Sequence, residues 1–396
     1  AYVESADSAE MTLKTGDKSV SVTAADLGIS FSNLNVVDEA IDVGRSGNLI
    51  KRYKDKKDLQ QGDKVIALSL DVDSDAVASI LSGKAAQLNQ EAVDNGLVRE
   101  NGAFKIIKGE QGIEVNVEDS IAAIENYISS EWDGGNAEIE LVAEVVEPRG
   151  SEEDLEQITD MMGSYTTNYK DSGQNRCDNI SNATSKINGT LLYPGEEFSV
   201  YEAIGPLDAA NGYELAGAYE NGQTVESYGG GVCQVSTTLY NAVILAELEI
   251  TQRSNHSMIV SYVKPSMDAA IAGDYKDLRF VNNQDIPIYI EGYTEGKNVT
   301  FKIYGHDTRP SNRVVTYESE VVSEQDPGTQ YVATGDPAGY MKTAQGKHIG
   351  YVARLWKVVT VDGVEESREI FNKSTYKASP KIVNVGTASA DPNVSA

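Results

Sequence analysis

One segment constrains this chain more than any other. Gly229-Gly230-Gly231-Val232-Cys233-Gln234-Val235-Ser236-Thr237-Thr238 runs directly into the apolar stretch Ala242-Val243-Ile244-Leu245-Ala246. Val235 to about Glu249 has helical length, and a helix that is apolar all round must be buried, so the fold has to supply layers that cover it. Glycines at its mouth let the backbone approach closely and adopt dihedrals that a Cβ forbids. A first helical turn leaves N–H groups unpaired and carries positive dipole potential. A thiol there can drop from about 8.5 into the range of roughly 3.5–7.5. Cys233 is therefore a candidate nucleophile. The backbone and polar groups of Gly230, Gly231, Gln234, Ser236 and Thr237 are candidate substrate or oxyanion contacts. The plainer alternative is a buried structural cysteine, against which the glycines and the polar neighbours weigh.

A cysteine nucleophile needs a base, and the sequence offers only His256, His306 and His348. His256, in Arg253-Ser254-Asn255-His256-Ser257, precedes an expected strand Met258–Val263. Alternation along that strand places it on the side of Met258, Val260 and Tyr262. If the strand packs beside the Cys233 helix, imidazole and thiol meet across the seam. His306 is the reserve candidate, and His348 lies in another module. For the group that orients the imidazole, Asp268 is the first choice and Asp277 the second, although an Asp at a turn is more often a local backbone cap. Cys177, the other thiol, sits on an expected helix Asn175–Lys186. A Cys177–Cys233 disulfide is the competing outcome that would abolish thiol chemistry. No Cys/His spacing suits zinc, and neither a metal nor a cofactor is expected.

A chain of 396 residues exceeds one compact core, so several domains are expected. The fold class expected is α+β and multidomain. An α+β module spans 1–150, a cysteine-bearing α+β domain with a buried helix on an antiparallel sheet spans 151–310, and an all-β module spans 311–390. In the first module a strand Val65–Val72 leads through Asp73-Ser74-Asp75 into a helix. Val77, Ile80, Leu81 and Leu88 share one face of that helix, and Gly96 lies near its stop. A strand at Phe104–Ile107, a helix marked by Ile121, Ile124 and Ile128, and a final strand through Ile139, Leu141, Ala143 and Val145 follow. The composition break Pro148-Arg149-Gly150-Ser151 marks the boundary. In the middle region a short helix from Leu155 runs into a strand. Turns at Asn188-Gly189 and Pro194-Gly195 follow, and strands Ile286–Ile290 and Val299–Tyr304 are joined through Thr294-Glu295-Gly296-Lys297. Near the end, Tyr351–Thr360 and Val364–Phe371 flank the hairpin signal Asp362-Gly363, and the tail beyond Thr387 is expected to fray.

Lys and Arg number 33 against 61 Asp and Glu, a net charge of −28. Such a surface repels nucleic acid and anionic membrane, which require clustered cations, so neither is an expected partner. The chain opens at Ala1-Tyr2-Val3-Glu4 without a basic and apolar leader, and an ectodomain trimmed of its signal or anchor is the expectation.

The middle region resembles the VanW family. The resemblance is carried by Tyr193-Pro194-Gly195-Glu196-Glu197-Phe198-Ser199, Ile204-Gly205-Pro206, Gly212-Tyr213 and the segment from Gly229 to Ala242. His256-Ser257, Asp268-Ala269 and Asp277-Leu278-Arg279-Phe280-Val281-Asn282 continue it. The N-terminal module is similar, more weakly, to the peptidoglycan-binding domain that often precedes VanW and L,D-transpeptidase domains. The C-terminal module looks like the five-glycine cell-surface domain. These resemblances imply an extracytoplasmic bacterial cell-wall protein whose partners are peptidoglycan stem peptides and glycan. They also imply L,D-transpeptidation with Cys233 as nucleophile. The thiolate attacks the third residue of a donor stem, D-alanine leaves, and aminolysis of the thioester gives a 3–3 crosslink, or hydrolysis an L,D-carboxypeptidase outcome. The chain lacks the His-Gly-Cys signature of the better-known L,D-transpeptidase fold, so residue roles do not transfer from it. The alternative is a non-catalytic wall-binding or glycopeptide-resistance accessory protein.

Overall fold

The computed structural model describes residues 6–66, 69–220, 223–273 and 275–388. The expectations for Ala1-Tyr2-Val3-Glu4, for Ala67 and Leu68 within the strand Val65–Val72, and for the tail from residue 389 onward lie outside the described residues. The chain divides into two compact units, residues 1–95 with 108–149, and residues 96–107 with 150–396.

In the first unit, strand Glu10–Thr15 pairs antiparallel with Lys18–Thr23 and parallel with Ala137–Glu140. Helices Ser74–Leu88 and Val117–Ser130 pack together beside this sheet. Met11, Leu13, Val77, Leu81, Leu88, Ile124 and Ile128 form the core. The carboxylate of Asp73 caps the first of these helices by accepting from the N–H groups of Asp75 and Ala76, as its place before the apolar periodicity implies. Two expectations need correction. That helix stops at Leu88 rather than near Gly96, because the Asn89 side chain accepts from the Val115 N–H and Gln90 bridges to Ile113. The expected single strand from Ile139 to Val145 is two strands, Ala137–Glu140 and Ala143–Val146, with different partners. The break falls where the Val142 N–H turns to the Ser120 hydroxyl.

The second unit begins with a hairpin, Gly96–Glu100 and Ala103–Ile107, whose Phe104 ring stands edge-on to Tyr289 at 5.3 Å and Tyr304 at 5.2 Å. After the short helix Glu152–Glu156, the elements are β1 (Asp160–Asn168), α1 (Gln174–Ile187), β2 (Thr190–Leu192), β3 (Glu197–Ser199), α2 (Val232–Leu245), β4 (Glu249–Gln252), β5 (Arg279–Val281), β6 (Ile288–Glu295), β7 (Asn298–Gly305), β8 (Arg313–Gln325), β9 (Gly350–Val361) and β10 (Val364–Tyr376). An antiparallel sheet runs in the order β1-β7-β6-β2, and α2 lies on β1 and β7. The α+β expectation is met here: Val235, Leu239, Ala242 and Val243 of α2 are fully buried against Ile180, Phe301 and Ile303. Truncating a side chain such as Leu239 to Ala costs about 3 kcal/mol in such a core. Gly163 of β1 is what allows the close approach, since a Cβ there would lie 2.3 Å from the Ala242 carbonyl oxygen.

The expected strand Met258–Val263 does not form. Its stretch is irregular, because the place beside β4 is taken by β5 in the small sheet β3-β5-β4. The all-β expectation for the C-terminal module is met. β8, β9 and β10 form an antiparallel sheet, and Asp362 and Gly363, both at positive φ, turn β9 into β10. Thr329–Pro337, Lys381–Ala388 and Met341–Gln345 form a second sheet, its first pair parallel. Leu355 of β9 is buried in the same core as α2. Among the described residues no helix is long and apolar enough to cross a membrane.

Candidate functional site

The three glycines shape the mouth of α2. Gly231 sits at φ +117 as the residue before the helix, a conformation L side chains avoid. Gly230 lies so close to the Leu215–Glu220 strand that a Cβ would come within 2.5 Å of the Ala216 carbonyl oxygen. Its own carbonyl accepts from the buried Asn179 side chain at 3.1 Å. Cys233 is thereby the second residue of α2, partly exposed, with its thiol 3.4 Å from the Ile271 carbonyl.

His256 and Asp268 meet this thiol. The imidazole Nδ1 lies 2.7 Å from Asp268 Oδ2, and the ring is near enough to Cys233 for each to shift the other's titration. The same carboxylate oxygen accepts from the His256 backbone N–H at 2.7 Å. Asp268 Oδ1 takes Arg253 Nη2 at 3.1 Å and the Tyr376 hydroxyl. Tyr262 places its hydroxyl 3.5 Å from His256 Nε2. Arg176 stands beside the glycine turn, and its charge reaches the thiol.

The electrostatics follow from burial working against pairing. Burial pushes the Cys233 thiol up, but the hydrogen bond and charge of His256 outweigh it and leave the thiol below its ordinary value. Burial pulls His256 down, yet its bonds to Asp268 and Cys233 raise it to about 9. Asp268, although buried, is held below the usual carboxylate range, chiefly by His256 and then by Arg253. A thiol, an imidazole and a carboxylate in that order can support nucleophilic attack with the imidazole as proton carrier.

The other candidates lie elsewhere. Asp277 is buried away from the thiol, accepting from the Ser199 hydroxyl at 2.6 Å and the Tyr201 N–H at 2.9 Å, which makes it a long-range clasp on the start of the Val200–Ile204 helix. His306 is half exposed beside Asp160, and His348 bridges to Ser379. Cys177 and Cys233 are both free thiols. The side chains of Gln234, Ser236 and Thr237 are buried rather than open to a ligand. Gln234 ties Arg176 to Thr167 and to the Asn168 carbonyl. Thr237 exchanges hydrogen bonds with the backbone of Ala269, and Asn241 donates to the Met267 carbonyl. Thr237 and Asn241 thus position the Asp268 segment and Gln234 holds the end of β1, which is why a buried helix carries them. The N–H groups of Val232 and Gln234 are taken by the Gly229 and Gly231 carbonyls, so the oxyanion role expected across Gly231–Gln234 narrows to the N–H groups of Gly231 and Cys233. Sequence reasoning missed Arg253, Tyr262 and Tyr376. Arg253 lies three residues before His256 and was within reach of it, whereas Tyr376 lies 120 positions beyond His256 in another module and carried no signal. Among the described residues no group of three or more His, Cys, Asp or Glu side chains converges as a metal site.

Comparison with known proteins defines the class. A family model described as "VanW like protein" matches residues 175–304. One described as "Putative peptidoglycan binding domain" matches 20–133, and a "G5 domain" model matches 316–388. This is the makeup of a multidomain, cell-wall-associated protein. The chain is 32% identical over 214 residues to the "Uncharacterized protein YoaR" of Bacillus subtilis, covering 54% of this chain and 69% of that relative. It is 30% identical over 118 residues to the "Vancomycin B-type resistance protein VanW" of Enterococcus faecalis, covering 28% of this chain and 42% of that one. The C-terminal module is similar to a solved IgA1 protease G5 domain, 26% identical over 19% of this chain and 93% of that chain, with a TM-score of 0.16. The chain belongs to the VanW-like family.

Proposed function

We propose that this protein is a cysteine acyltransferase of the cell wall, an L,D-transpeptidase acting on peptidoglycan stem peptides. The observation that carries the reading is His256 bonded to the buried Asp268 carboxylate and set beside the Cys233 thiol. In the reaction the Cys233 thiolate adds to the carbonyl carbon of the third stem residue, and the oxyanion is met by the Cys233 and Gly231 N–H groups. The C–N bond to terminal D-alanine breaks, and the leaving amine takes its proton from the His256 imidazolium. An acceptor side-chain amine then attacks the thioester and gives its proton to His256. The C–S bond breaks, the thiolate returns, and a 3–3 crosslink remains. Water in place of the amine gives L,D-carboxypeptidase chemistry. An extracytoplasmic, wall-facing location is supported by the two flanking modules, which would hold the protein to glycan and stem peptide.

Incubation with purified disaccharide-tetrapeptide tests this. The expected product is a dimer lighter by one alanine, absent with Cys233→Ala. A second reading, a non-catalytic wall-binding or resistance accessory protein, is favoured by the same flanking modules and by the named resistance relative. Unchanged substrate, with wall binding equal in wild type and Cys233→Ala, would establish it instead.

A further inference from the structure

Resting on the cysteine chemistry proposed above, we propose that Tyr376, at the end of β10 in the C-terminal module, is a positioning residue for the Asp268–His256 pair, so that the catalytic centre is incomplete without that module. The family matches treat residues 175–304 and 316–388 as separate modules, and nothing in either match places the second at the thiol. The hydrogen bonds do. Tyr376 is 2% exposed. Its hydroxyl donates to Asp268 Oδ1 and accepts from the Ser266 N–H at 2.7 Å. Its neighbours work on the same segment. Ser374 Oγ meets Arg253 Nη1 at 2.9 Å, the Thr375 carbonyl accepts from Asn255 Nδ2 at 2.9 Å, and the Lys377 N–H donates to the Ser257 carbonyl at 2.7 Å. The stretch Ser374-Thr375-Tyr376-Lys377 thus grips residues 253–268, the irregular loop that carries both the base and its orienting carboxylate.

The physical need is specific. A carboxylate is a two-fold rotor about its last torsion, and only Oδ2 serves His256. Pinning Oδ1 from Tyr376 and Arg253 keeps Oδ2 on Nδ1, and with it the imidazole on the thiol. The loop has no strand partner to do this, so the neighbouring module supplies the order.

Alkylation of Cys233 by iodoacetamide against pH, resolved by mass spectrometry on the full chain, tests the proposal without requiring turnover. Cys177 is the reference thiol in the same digest. The charged or titratable groups around the thiol are His256, Asp268, Arg253, Arg176, Tyr262 and Tyr240. Tyr376→Phe keeps the ring and removes only the hydroxyl. The expected result is a Cys233 midpoint raised by about one pH unit, hence alkylation about tenfold slower below it, with the Cys177 profile and the melting temperature close to wild type. Ser374→Ala should shift the midpoint in the same direction by less, and it serves if Tyr376→Phe folds poorly. Profiles of folded variants that superimpose on wild type overturn the proposal. A shifted midpoint in a protein that never forms crosslinked dimer supports the role of Tyr376 while removing transpeptidation.

Discussion

Asp268 and Glu247 are two carboxylates of the same unit, each gripped from the C-terminal module, and they differ in what grips them. Glu247 follows the end of α2 and takes Arg313 at 2.5 and 2.9 Å, Lys357 at 2.7 Å and Arg309 at 3.3 Å. Burial pushes it up, but these cations hold it at about 2. Its partners are all guanidinium and ammonium groups, so the cluster is a fixed joint between α2 and strands β8 and β9. Asp268 has one permanent cation, Arg253, and otherwise faces an imidazole and a phenol. Its main partner titrates at about 9, so this cluster can move a proton. A carboxylate ringed by guanidinium and ammonium groups holds structure together, and one that shares itself with an imidazole sets the charge on that imidazole.

That contrast can be broken most sharply at the thiol. Cys233→Ala should lower dimer formation by about a thousandfold or more, measured by product mass. Dimer at the wild-type rate would remove the site from the chemistry. His256→Ala and Asp268→Asn should each cost roughly 10²–10⁴ in rate, with a raised alkylation midpoint for Cys233 in both. Glu247→Gln should do the reverse. It should lower stability by about 2 kcal/mol in a denaturant titration, because Arg313 and Lys357 lose their charge partner while Arg309 keeps Asp307, and leave the Cys233 alkylation profile in place. A shifted profile would erase the distinction between joint and site.

pH separates the two clusters by sign. His256 is raised above 6.5, so its stabilisation is fully present below about 6.5 and is lost as pH rises through about 9. Turnover should therefore fall on the alkaline side near 9. Glu247 is depressed from 4.5 to about 2, so its stabilisation is present above 4.5 and is lost as pH falls toward 2. Melting temperature against pH should show both limbs; Glu247→Gln should change only the acid one, whereas Asp268→Asn should change the alkaline one and also remove the share of the acid one that the depressed Asp268 carboxylate contributes. The smallest effect is expected at the surface: Arg279→Ala, which removes partly exposed pairs to Glu197 and Glu202, should leave the midpoint of a denaturant titration close to wild type. A larger loss would mean that its contact with the buried Asp277 matters more than its surface pairs.

Some of this was legible in the residues alone. The buried helix followed from Ala242-Val243-Ile244-Leu245-Ala246, because local hydropathy reports burial directly. The Asp73 cap and the Asp362-Gly363 turn followed from rules that act within four residues. The pairing of Cys233 with His256 was reachable because few histidines competed, although the strand invoked to bring them together does not exist. Alternation of apolar residues over Met258–Val263 could not reveal that β5 occupies the neighbouring sheet position, which depends on a segment some twenty residues further on. The polar residues after Cys233 were read as ligand contacts, yet Gln234 and Thr237 turn inward to hold β1 and the Asp268 segment. Polarity at a helix start indicates a hydrogen-bonding need, and it does not say whether substrate or backbone answers it.

By itself, then, the sequence determined most of the helices, the hairpins, the thiol at a helix start and the resemblance to a family. The tertiary structure decided which carboxylate orients His256, why Asp277 does not, and that β10 of a separate module reaches back to Asp268. Local rules act through neighbours a few residues apart. The geometry of a proton-carrying cluster depends on distances of a few tenths of an ångström between groups more than a hundred positions apart, and only the packed chain sets those.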